Sequence, residues 1–136
     1  MRVKLGRPSG RLFLLPFGMA YNPLNLAIRF LLEMGALFAT GRYFYTEGHT
    51  LIGILIPLAM MTLWAVFAVP NDRSRSGKTV VAISGTLRLV LETAFFLLPV
   101  CLLWLQNEHL AAIIFGLVVL MHYLFSIDRI KWLLQQ

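Results

Sequence analysis

Two stretches of the chain set an arginine and a glutamate four residues apart within otherwise apolar sequence: Arg29 with Glu33, and Arg88 with Glu92. Side chains at i and i+4 share a helix face, so each pair could close an ion pair within its own helix. Arginine before glutamate is the weaker order for such a pair, and an arginine near a helix N-terminus opposes the helix dipole. Local helix stabilisation is therefore a poor reason for the pattern. Two kinds of chemistry remain. The charges can lock helices together as buried ion pairs, or they can form an intramembrane site for a substrate or a proton. An arginine one turn from each carboxylate disfavours a cation site and favours an anionic or zwitterionic ligand.

Arg88 follows Arg29 by 59 positions, and Glu92 follows Glu33 by the same interval. That offset also lays residues 51–69 over 110–128. The chain reads as two related helical hairpins, each with the Arg/Glu pair on its first helix. Both first helices run the same way, so the repeat is parallel, unlike the inverted repeats common in transporters.

Composition shows what must position these charges. The 136 residues are 59% hydrophobic and 13% charged, with mean hydropathy +0.77. A soluble domain has about 45–50% apolar and about 25% charged residues, so the excess must face lipid. The reading is an all-α, polytopic membrane protein: a four-transmembrane-helix bundle of two parallel-repeat hairpins over residues 23–136. Its helices fall at about 24–45, 51–69, 80–105 and 110–127, each near the roughly 20 residues a bilayer requires. The third stretch exceeds one span and could begin near Ser84. Pro57 should face other helices, because it strips a helical hydrogen bond that lipid cannot replace. Gly35 and Ala39 could mark a close helix contact. Residues 1–22 form a basic arm, of which 1–18 could precede a true start at Met19.

The net charge of +6 is asymmetric. Arg2, Lys4, Arg7, Arg11, Arg73, Arg75, Lys78, Arg129 and Lys131 fall on one side of the spans, and Arg42 on the other. The positive-inside rule then makes both termini and the middle loop cytoplasmic, in a cell (inner) membrane. Trp64 and His122 lie a few residues before the cytoplasmic ends of the second and fourth helices. Their depth matches that of Arg29 and Arg88. The expected site is thus one layer of Arg29, Glu33, Arg88 and Glu92, with Asn25, Trp64, His122 and Tyr123 as neighbours.

Other chemistry is disfavoured. His122 has no second His or Cys at ligand spacing, so no metal is expected. It should pack, or bond Glu92 or Glu33. Ser76-Gly77-Lys78-Thr79 imitates a phosphate loop but has Asp72 where the first glycine belongs. No nucleophile–base set is recognisable, so no enzyme and no cofactor are expected. No soluble basic face exists for nucleic acid. Cys101 reads as a small buried hydrophobe.

The segment from Met19 through Asn22-Pro23-Leu24-Asn25 to Arg29 and Glu33 resembles the opening of the YrdB-like family of small bacterial membrane proteins. Trp64, Phe67 and Pro70 at the end of the second helix and residues 85–92 of the third extend the likeness to about residue 130. His122 departs from it, standing where the family has Asn. The resemblance implies four membrane helices and a start at Met19, but no activity. The expected function is therefore non-enzymatic: an assembly or interaction protein whose partners are the bilayer and either itself or another membrane protein. The alternative is a small transporter or channel subunit using the charged layer as its substrate or proton site.

Overall fold

The structure, a computed structural model, describes residues 19–75 and 77–136. The arm over residues 1–18 lies outside them. A single 3₁₀ turn at Met19–Tyr21 leads into α1 (Pro23–Thr46), α2 (Thr50–Val66), α3 (Gly85–Leu105), α4 (His109–Phe125) and α5 (Ile127–Leu133). Two-residue strands β1 (Phe67–Ala68) and β2 (Val81–Ala82) pair in parallel between α2 and α3, in the register Phe67 to Val81 and Ala68 to Ala82. The described fold is helical apart from this small ladder, which the purely helical expectation lacked.

The helix starts follow local chemistry. Asn22 caps α1 by accepting from the Leu24 amide at 2.9 Å, and Pro23 occupies the first turn, where its missing N–H costs nothing. Ser84 caps α3 by accepting from the Leu87 amide at 3.3 Å, so that helix begins at Gly85 rather than at 80. α2 ends at Val66 rather than 69, because Phe67 and Ala68 leave the helix to join the ladder. α4 ends at Phe125. The chain then bends 71° at Ser126 into α5.

Two helices, α1 and α3, are long and apolar enough to cross a membrane. α4 reaches that length only together with the bent α5, and α2 is apolar but has 17 residues. At 1.5 Å per residue, 17 residues span roughly 25 Å, less than the ~30 Å hydrocarbon core.

α1 and α3 pack against each other, α2 lies on α1, and α4 lies on α3. Leu32 and Ala36 of α1, Met60 of α2 and Phe95 and Phe96 of α3 form the main core. α1 and α2 approach until their backbones touch: a Cβ on Gly41 would stand 2.9 Å from the Gly53 carbonyl and 3.3 Å from Pro57 Cγ. Pro57 does face a neighbouring helix. Gly35 accommodates the Phe115 ring, which a Cβ there would meet at 3.1 Å. Ala39 packs with Leu103 and Ala112. Large apolar side chains such as Leu31, Phe38, Leu51, Val90 and Leu117 point outward. Cys101 is exposed too, contrary to its expected burial, because it falls on the outward face of α3.

Candidate functional site

The polar end of the bundle is built around one carboxylate. Glu92, on α3, is 1% exposed. Its Oε1 accepts from Arg88 Nε at 3.0 Å, Arg29 Nη2 at 3.0 Å and Arg129 Nη2 at 2.6 Å. Its Oε2 accepts from Arg129 Nη1 at 2.8 Å. Arg88 belongs to the same helix, Arg29 comes from α1, and Arg129 from α5. One side chain therefore ties three helices together.

The two repeated pairs share a local geometry. Arg29 Nε donates to Glu33 Oε1 at 3.0 Å, and Arg88 Nε donates to Glu92 Oε1 at the same distance. Their surroundings differ. The Glu92 side chain is sealed, whereas that of Glu33 is 18% exposed. The Arg29–Glu92 contact joins the pairs across α1 and α3.

A third carboxylate, on the loop after β1, completes the network. Asp72 Oδ2 accepts from Arg129 Nη2 at 2.7 Å. Its Oδ1 accepts from the Ser74 amide at 2.9 Å and the Ser74 hydroxyl at 2.7 Å. Ser74 Oγ in turn accepts from Arg29 Nη1 at 3.0 Å and Arg129 Nε at 2.8 Å. Burial would raise the Asp72 carboxyl, but Arg129 and Ser74 more than offset this and hold it down at about 2. Arg29, Arg88 and Arg129 balance Glu33, Glu92 and Asp72, so the cluster is buried without net charge. That balance is the condition under which burying ions is tolerable.

Arg88 also closes the end of α2. Its Nη1 donates to the Trp64 carbonyl at 3.1 Å and to the Phe67 carbonyl. Arg75 Nη2 donates to the Ala65 carbonyl at 2.8 Å. Helix C-termini present unpaired carbonyls and partial negative charge, which cations satisfy. Trp64 lies beneath the guanidiniums, its ring centroid 4.1 Å from Arg88 Cζ and 5.3 Å from Arg29 Cζ. It is a cation–π platform, and Phe95 packs against it at 4.5 Å between centroids.

The other expected neighbours form a separate polar relay. His122 Nδ1 bonds Asn25 Oδ1 at 2.9 Å, and Asn25 Nδ2 donates to Ser126 Oγ at 2.9 Å. His122 thus bonds Asn25 rather than Glu92 or Glu33, because the arginines already saturate Glu92. Tyr123 packs edge-on against Phe96 with centroids 6.3 Å apart. Asp72, Ser74 and Arg129 were missed from the sequence. Arg129 reads as one more charge flanking a membrane helix, and nothing in its spacing reveals that α5 folds back. Among the described residues no group of His, Cys, Asp and Glu is arranged to hold a metal ion.

Long apolar helices with outward hydrophobic faces and a charge-neutral ionic cluster at one end define an all-helical protein suited to a membrane. The chain belongs to the family described as "Protein of unknown function (DUF2568)", whose model matches residues 27–120. It is 40% identical over 119 residues to the uncharacterised protein YrdB of Bacillus subtilis (strain 168), covering 85% of this chain and 97% of that relative. No solved structure matches the chain.

Proposed function

We propose that this chain is a polytopic protein of the cell membrane that acts by assembly, with itself or with another membrane protein, and that its ionic cluster is a clamp rather than a catalytic site. The observation that carries this reading is the saturation of Glu92. Four hydrogen bonds from three arginines of its own chain occupy it. A carboxylate so engaged by its own arginines offers little to a substrate cation.

The membrane reading extends to four spans. With 17 residues each, α2 and α4 lie at the lower edge of the spanning range of about 17–25 residues, and tight turns join them to α1 and α3. Both ends of the chain and the loop around residues 71–78 are cytoplasmic in this reading, supported by the arginines gathered at the cluster end. Single-cysteine labelling from each side of the membrane tests it. Purification in native lipid, with mass spectrometry of the intact complex, tests assembly; a monodisperse monomer without protein partners would count against it.

The alternative, a small transporter or channel subunit, draws support from Glu33, the most exposed carboxylate of the cluster and part of the lining of a cleft. Flux through proteoliposomes that is lost in Glu33→Gln would favour it.

A further inference from the structure

A cleft of about 490 Å³ opens beside the ionic cluster, between α1 and the end of α2 with its following loop. Buried Arg29 and half-buried Glu33 and Ser74 line its inner side, and Arg73 and Arg75 reach it from the loop. Phe30 and Trp64 supply its apolar wall.

The charges here do not balance as they do around Glu92. Arg29 is engaged by Glu33, Glu92 and Ser74. Arg73 and Arg75 make no ion pair among the described residues. Arg73 is exposed and stacks over the Tyr21 ring, 5.3 Å from its centroid. Arg75 gives one nitrogen to the Ala65 carbonyl, while its Nη1 is buried without a hydrogen-bond partner. A buried guanidinium N–H is costly to leave unsatisfied, and two such forks match the oxygens of a phosphate. Glu33 has spent Oε1 on Arg29 and remains partly open, so it can accept from a hydroxyl. Phe30, 56% exposed on the outward face of α1, makes the cleft continuous with the surface that faces lipid.

We infer that this cleft binds the phosphodiester headgroup of an anionic glycerophospholipid from the cytoplasmic leaflet. Arg73 and Arg75 hold the phosphate, Glu33 accepts from the headgroup hydroxyls, and the acyl chains leave past Phe30. A soluble phosphate would share the arginine chemistry but would have no use for the apolar wall or the lateral opening. The inference rests on the membrane reading above.

The test is native mass spectrometry of the full chain in detergent supplied with phosphatidylglycerol or phosphatidylcholine, with and without millimolar inorganic phosphate. A single retained phosphatidylglycerol, with phosphatidylcholine lost, is the expected result. Arg73→Glu, at an exposed position that leaves the cluster intact, should lower retention by at least about fivefold. Adding Arg75→Ala should lower it further. Arg42→Ala, at the opposite end of the bundle, should leave it unchanged. Equal retention of both lipids, or retention indifferent to Arg73→Glu, overturns the site. Displacement by inorganic phosphate assigns the cleft to a soluble anion and overturns the lipid. A chain that stays in solution without detergent overturns the membrane reading itself, which separates that failure from failure of the site.

Discussion

Arg129 grips Glu92 with both terminal nitrogens, Nη1 to Oε2 at 2.8 Å and Nη2 to Oε1 at 2.6 Å. The residues lie 37 positions apart, and the contact exists only because the chain bends 71° after α4 and returns α5 over the start of α3. The same guanidinium reaches Asp72, so α5, α3 and the middle loop are held at one point. Only a planar fork can do this. Arg129→Lys is therefore expected to lower the thermal midpoint in detergent clearly, although charge is kept, and Arg129→Ala to cost about 3–5 kcal/mol. A lysine variant melting with the wild type would show that the fork geometry is immaterial.

Glu92→Gln should be among the most damaging conservative changes in the chain. It leaves three buried guanidiniums sharing a neutral amide, and breaking buried pairs costs about 3–5 kcal/mol. The exchange Arg88→Glu with Glu92→Arg would preserve stability if each pair were an isolated bridge. It is expected to fail here, since it would place an arginine against Arg29 and Arg129. Denaturant unfolding of the exchange variant decides: recovery to wild-type stability would contradict a shared hub.

Acid should loosen the middle loop through Asp72. Its carboxyl sits at about 2 in the fold against 3.8 for the free group. The folded value is depressed, so the stabilisation is complete above about pH 4 and disappears as pH falls toward 2. Asp72→Asn should remove that acid-side contribution. The check is the difference between wild-type and variant thermal midpoints from pH 5 downward: it should narrow as pH falls, and a constant gap would exclude the linkage.

Gly85 is where α5 rests. A Cβ there would lie 1.7 Å from the Leu133 carbonyl oxygen, and its amide donates to the Gln136 carbonyl at 3.1 Å. Gly85→Ala should therefore lift α5 off α3 while leaving the apolar bundle intact. Trypsin cleavage at Arg129 and Lys131 reports it: cutting should speed up several-fold in the variant. An unchanged rate would mean that the helix accommodates the methyl elsewhere.

Much of this protein was written in its sequence, and the reasons are local. Proline after Asn22, and Ser84 ahead of Gly85, mark helix starts whose caps need only the next few residues. Apolar runs long enough for lipid announce α1 and α3, and the four-residue spacing puts each Arg beside its Glu whatever the rest of the chain does. The 59-residue offset puts both pairs at the same position in the chain's two halves. Tertiary structure alone decided which carboxylate became the hub. The pairs are equivalent in sequence, but only Glu92 lies where α5 returns, so it is sealed by Arg129 while Glu33 is left open to a cleft. Asp72 and Ser74 joined the network because β1 and β2 pair and fold the middle loop onto the bundle, and Trp64 became a platform because Arg88 reaches back to cap α2. Such contacts link residues dozens of positions apart, and no periodicity records them, because they depend on where separately formed helices come to rest.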